Sequence, residues 1–127
     1  MTKHAQTVSE EGFTSTSEVN DFTIELDATG EEAPDTLDSL LATYGACYVP
    51  ALRVAAEQRD AGELGRIEIE VTGELNDDDK LESVSFEIHL ENELSEEKGN
   101  QILRRADQLC KIEDAVKPSL KAEKTFA

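Results

Sequence analysis

Two cysteines, Cys47 and Cys110, are the residues of this 127-residue chain best suited to chemistry. Cys47 ends the run Leu37-Asp38-Ser39-Leu40-Leu41-Ala42-Thr43-Tyr44-Gly45-Ala46-Cys47, which is apolar at helical spacing. Cys110 follows a second helical pattern 63 positions later. Two thiols placed on or beside helices, far apart in sequence, suit redox chemistry once a fold brings the sulfurs together. The reactive species is the thiolate, and a free cysteine has a pKa of about 8.5, so a neighbour must favour the anion. The competing reading is that each is a small buried helix residue, because free Cys packs as a hydrophobe. Other chemistry is sparse. His4 and His89 form no zinc spacing with the cysteines, and each reads as a surface residue. Asn76-Asp77-Asp78-Asp79 is calcium-like, but Lys80 occupies the fifth position and the sixth lacks glycine, so it reads as a hairpin turn. There is no glycine-rich phosphate loop and no defensible Ser/His/Asp arrangement. No metal and no cofactor is expected.

The elements that must position the thiols follow from periodicity. Phe13 to Ser17 and Phe22 to Leu26 read as short strands joined through Glu18-Val19-Asn20-Asp21, which has the composition of a turn. Residues 1–12 read as a polar, frayed start. Pro34 followed by Asp35 or Thr36 marks a helix start. From Thr36 to about Arg59, Leu37, Leu40, Leu41, Tyr44, Cys47, Ala51, Val54 and Ala55 make one apolar stripe, flanked by the small residues Ala42, Gly45 and Ala46. Tyr44 reads as core or pocket wall. Pro50 removes the bond to the Ala46 carbonyl and should kink the helix within a turn of Cys47. Asp60-Ala61-Gly62 closes it. Ile67, Ile69 and Val71, then Val84, Phe86, Ile88 and Leu90, alternate with polar residues as the two strands of a hairpin. Ser95 caps a helix whose apolar face is Ile102, Leu103, Ala106 and Leu109. A short turn over Ile112 to Val116 follows, and Leu120, Ala122 and Phe126 suggest a closing strand. The order ββ-α-ββ-α-β describes an α+β fold, expected as a single domain over 1–127.

Charge bounds the partners. The formal net charge is −17, from 29 acidic and 12 basic residues. Such a chain should repel nucleic acid and anionic membrane. Its acidic residues are scattered among ordered patterns, so they read as a solvated surface rather than a tail. Salt at about 1 M shortens the Debye length to roughly 3 Å and makes such a surface tolerable. A salt-adapted, halophilic archaeon is the expected source. No apolar leader and no stretch of membrane-spanning length is visible, so a soluble cytoplasmic protein with reduced thiols is expected.

The run ending Gly45-Ala46-Cys47 resembles the central-helix motif of the OsmC/Ohr family, the osmotically inducible and organic-hydroperoxide-resistance proteins. Leu94-Ser95-Glu96-Glu97 through Ala106-Asp107-Gln108-Leu109-Cys110 resembles the family's second motif, an amphipathic helix ending in Cys. The resemblance covers roughly Val8 to the C-terminus. It implies an intertwined homodimer and thiol-dependent reduction of organic hydroperoxides. Cys47 would be the peroxidatic thiolate, Cys110 the resolving thiol, and Asp38 the motif's acidic residue. A small dithiol of lipoyl type would restore both thiols, and the apolar stripe would admit hydrophobic peroxides. Two departures stand out. Family peroxidases use an arginine from the N-terminal strands, held by the acidic residue, but here only Lys3 and His4 are basic before Arg53. The family often continues Cys-Pro-Val, whereas this chain reads Cys110-Lys111-Ile112. The alternative is a non-catalytic dimer of the same fold, binding a small apolar ligand or serving a structural stress role.

Overall fold

The computed structural model describes residues 1–127 as β1 (Gln6–Val8), β2 (Thr14–Val19), β3 (Phe22–Asp27), α1 (Thr36–Gln58), β4 (Ile67–Leu75), β5 (Leu81–Leu90), α2 (Glu96–Leu109) and α3 (Lys111–Ala115). This is the α+β architecture expected from the patterns. The chain divides into two compact units, Met1–Ala42 and Thr43–Ala127, with α1 beginning in the first and ending in the second.

In the first unit, β1, β2 and β3 form an antiparallel sheet in that order. Val19 pairs with Phe22 across a two-residue turn in which Asn20 and Asp21 both have positive φ, 48° and 69°. A turn of that hand matches strand twist, and Asn and Asp tolerate the left-handed region better than most residues. The stretch expected to fray instead contributes β1: Gln6, Thr7 and Val8 pair with Glu18, Ser17 and Thr16. A hydroxyl–hydroxyl hydrogen bond of 2.8 Å joins Thr7 to Ser17. After β3, buried Asp27 accepts hydrogen bonds from the N–H and hydroxyl of Thr29 and the N–H of Glu32. Those donors, Thr29 first, hold its carboxyl below the usual carboxylate range. Asp35 then caps α1, its Oδ1 accepting from the Asp38 N–H at 2.8 Å.

In the second unit, β4 and β5 pair in the register that puts Ile69 opposite Ile88 and Val71 opposite Phe86. Their inner face packs on a core of Tyr48, Leu52, Ala55, Ala56, Leu64, Ile102, Ala106 and Cys110. Leu52, Leu64 and Ile102 are the largest fully buried side chains, each worth about 1.5–3 kcal/mol against exposure. The buried face of α1 is rotated from the expected stripe. Val54 is exposed, whereas Gly45, Tyr48 and Leu52 are buried. Gly45 decides this: a Cβ there would stand 3.0 Å from the Val71 side chain, so the missing side chain admits the strand. Ala42 and Ala46, by contrast, face outward. Leu103 is likewise exposed on α2, where Ile102 and Ala106 carry the burial. The helix α1 runs through Pro50 without interruption.

The end of α1 is a Schellman-type turn. The Ala61 N–H reaches the Ala56 carbonyl at 2.9 Å, that of Asp60 reaches Glu57, and Asp60 is left-handed at φ 54°. The hairpin loop is also locally held. Asn76 Oδ1 accepts from the N–H groups of Asp78 and Lys80, which makes the segment a turn held by its own side chain. The expected closing strand is absent: residues 117–127 form no strand, and Leu120 and Phe126 are exposed. Pro118 cannot donate to a ladder, and alternating apolar residues make a strand only where an edge accepts them.

Candidate active site

Cys47 sits mid-helix on α1, partly buried, with Tyr44 and Tyr48 on either side of it in sequence. Cys110 is buried and extended (φ −72°, ψ 114°), ending α2 and starting α3. Its own N–H still bonds the Ala106 carbonyl at 2.9 Å, so α2 closes normally and the chain then breaks direction. That break matters because the first amides of any helix lack intrahelical partners. The leading amides of α3, those of Lys111 and Ile112, act on the Cys47 sulfur and favour its thiolate.

Both thiols are free, and Cys47 packs against the core that holds Cys110, so each sulfur acts on the other's ionisation. Burial pushes the Cys47 thiol up. It is outweighed by the Ile112 N–H, the Cys110 thiol, the Lys111 N–H and the Lys111 charge, and the net shift is downward. Cys110 goes the other way. Burial pushes it up most; the Glu113 amide opposes this, the neighbouring Cys47 sulfur adds to it, and the Ile112 amide opposes it more weakly, with a net upward shift. Of the two thiols, Cys47 is therefore the one that ionises first.

A cleft of about 310 Å³ is walled by Tyr44 and Tyr48 of α1, Val84, Phe86 and Ile88 of β5, Leu103 and Asp107 of α2, and Glu113 of α3. Phe86 meets both tyrosines edge-on, at 4.8 Å and 5.1 Å between ring centroids. Tyr48 donates its hydroxyl hydrogen to Asp107 at 2.7 Å, and Tyr44 donates to Glu113. Burial, with Asp107 beside it, pushes the Tyr48 hydroxyl far up, so it stays a neutral donor. The result is an apolar slot with two carboxylates at its edge.

A family model described as OsmC-like protein matches residues 27–124. The chain belongs to the OsmC-like family. A protein of Haloferax volcanii, described only as uncharacterized, is 39% identical to this OsmC-like chain over 119 residues, covering 94% of it and 90% of the relative. That relative is archaeal and halophilic, in keeping with the acidic surface. Among solved structures, an OsmC-like protein from Mycoplasma pneumoniae superposes with a TM-score of 0.75 at 20% identity, over 94% of this chain and 89% of that one. The organic hydroperoxide resistance protein OhrB of Bacillus subtilis does so with a TM-score of 0.67 at 19% identity, over 94% and 93%. These likenesses establish the fold.

Of the residues singled out in the sequence of this OsmC-like protein, Cys47 and Cys110 are brought together. Asp38 lies in the first turn of α1 and is not among the groups acting on the Cys47 sulfur. Arg53 is exposed and donates to the Gly65 carbonyl at 2.9 Å. Lys111, Tyr48, Asp107 and Glu113 were missed. Tyr48 could have been found, since it stands four positions after Tyr44 and shares its helix face. No helix is long and apolar enough to cross a membrane.

Proposed function

We propose that this protein is a thiol peroxidase for organic hydroperoxides, with Cys47 attacking and Cys110 resolving. The observation that carries the reading is the pairing of two free thiols in one core, with the surroundings favouring ionisation of Cys47 over Cys110. The Cys47 thiolate attacks the terminal oxygen of ROOH, the O–O bond breaks, and the leaving alkoxide takes a proton to become ROH. Cys47 is then a sulfenic acid. The Cys110 sulfur, losing its proton, attacks the Cys47 sulfur, forming a disulfide and releasing water. A small dithiol, of lipoyl type, reduces that disulfide by exchange and leaves as its own cyclic disulfide.

Two features of this chain bear on the departures from the family pattern. The α3 amides and the Lys111 ammonium stabilise the thiolate that family peroxidases stabilise with an arginine. Lys111 stands where the family has proline, and proline has neither the N–H nor the charge. Asp38, with no arginine before Arg53 to hold, is left the role of a first-turn carboxylate favoured by the helix dipole. The apolar slot is lined by Tyr44 and Tyr48, which flank Cys47 on α1, and by neither cysteine. As the entry to the thiols, with Asp107 and Glu113 at its edge, it would favour neutral alkyl or aryl hydroperoxides over fatty-acid anions. A homodimer completes the reading: Phe13, Phe22 and Ile24 of the first unit are exposed apolar residues that a second copy would cover.

The missing arginine favours a second reading, a binding protein of the same fold whose slot holds an apolar ligand. The deciding experiment follows consumption of cumene hydroperoxide in concentrated KCl with dihydrolipoamide as reductant. The expected result is turnover that falls to background in Cys47→Ser and is slower with a fatty-acid hydroperoxide. A folded protein with both thiols free and no turnover would sink the peroxidase and leave the binding reading.

A further inference from the structure

The outer face of the β4–β5 hairpin carries a second cluster unconnected with the thiols. The strand register sets Glu70 directly opposite Glu87. Like charges so placed repel, and a sheet that pairs them calls for a counter-charge. His89 stands two residues beyond Glu87 and therefore on the same face. Its Nε2 lies 3.0 Å from a Glu87 carboxylate oxygen and 3.8 Å from one of Glu70. One ligating atom from each of the three residues fits within a span of 4.8 Å. The neighbouring cation, Arg66, is engaged with Glu68 at 3.0 Å. Between the carboxylates the surface dips into a recess lined by Glu70, Val71, Thr72, Ser85, Phe86 and Glu87.

We propose that Glu70, Glu87 and His89 form a surface binding site for a divalent cation of the zinc class. The donor set is one imidazole nitrogen and two carboxylate oxygens. Hard ions such as Mg²⁺ and Ca²⁺ prefer all-oxygen shells, whereas Zn²⁺ takes nitrogen and oxygen together. Ligands about 2.1 Å from a tetrahedral ion stand roughly 3.4 Å from one another. The 3.0 Å and 3.8 Å separations around His89 straddle that spacing. All three side chains are at least half exposed, so small rotations close the triangle and a fourth position is open to water. A bound ion would also remove the Glu70–Glu87 repulsion. This site is independent of the peroxidase reading.

The test is titration of the reduced full-length protein with Co²⁺, the spectroscopic stand-in for Zn²⁺, in concentrated KCl with excess Mg²⁺ to occupy unspecific carboxylates. One Co²⁺ should bind, with visible absorption and no thiolate-to-cobalt charge-transfer band. His89→Ala and Glu87→Gln should each weaken binding at least about tenfold, the least that loss of even an outer partner usually costs a metal site. His4→Ala should change nothing. Equal affinity in the wild type and His89→Ala, a spectrum dominated by thiolate ligation, or no binding would each overturn the site. In the unmutated protein, Mn²⁺ should broaden the His89 imidazole resonances and leave those of His4 unaffected. Equal broadening of both histidines would count against the site without recourse to any variant.

Discussion

At the scale of single residues, the chemistry turns on which of two identical side chains holds the proton. The Ile112 and Lys111 amides favour the Cys47 thiolate, whereas Cys110 sits deeper and burial disfavours its ionisation. An isolated cysteine reaches half ionisation at about pH 8.5. Alkylation of Cys47 by iodoacetamide should therefore reach half its maximal rate below that pH, because the fold favours the thiolate. Lys111→Pro deletes one amide donor and the ammonium yet suits the first position of a helix, so α3 should still form. Its alkylation midpoint should move upward, with Lys111→Ala, which loses only the charge, in between. Identical pH profiles for all three proteins would exclude Lys111 from activating the thiol. The thiols themselves were legible in the sequence. Lys111 was visible only as a departure from a pattern, because its effect depends on the α2–α3 break that aims its amide at Cys47.

At the scale of elements, the second unit relies on a few backbone positions that only glycine fills well. Gly65, at φ +72°, leads into β4, and a Cβ there would stand 2.4 Å from the Glu91 carboxylate oxygen and 2.9 Å from its Cβ. That same carboxylate accepts the Arg66 N–H at 2.9 Å. Gly62, at φ +79°, has open space where a side chain would go. Both Gly→Ala changes should cost the left-handed penalty of about 1–2 kcal/mol. Gly65→Ala should cost more, since Glu91 must also give up its place and its hydrogen bond. Thermal unfolding of the two variants checks this, and equal midpoints would mean that Glu91 moves aside freely. Caps, turns and strand alternation were readable because they depend on neighbours in sequence. The rotated face of α1 was not, since the close approach of Val71 to Gly45 is a contact between elements distant in sequence.

At the scale of the whole molecule, electrostatics dominate. Each copy carries a formal −17, and the cations in ion pairs with carboxylates are few: Arg66, Lys117 and, when protonated, His89. Bringing two such copies together brings like charges together. Raising salt from 0.1 M to 1 M cuts the Debye length from about 10 Å to about 3 Å. The protein should therefore be a dimer in concentrated KCl and dissociate as the salt is lowered at fixed protein concentration. Light scattering across a KCl series decides the matter. A monomer at every salt concentration would remove the dimer from the proposed function.

By itself, the sequence determined the α+β class, the helix that carries Cys47 and the one that leads to Cys110, the hairpin and its apolar alternation, and the acidic surface. Each of these rests on periodicity, local turn chemistry or summed charge, which short stretches of chain express without the rest of the fold. Tertiary structure alone decided that Cys47 and Cys110 share one core, that the first amides of α3 act on Cys47, and that the C-terminal alternation makes no strand. It alone gathered Glu70, Glu87 and His89 into one cluster, because cross-strand register joins residues that no local pattern connects. Proton affinity and ligand geometry depend on distances of a few ångströms between elements far apart in the chain, and packing sets those distances.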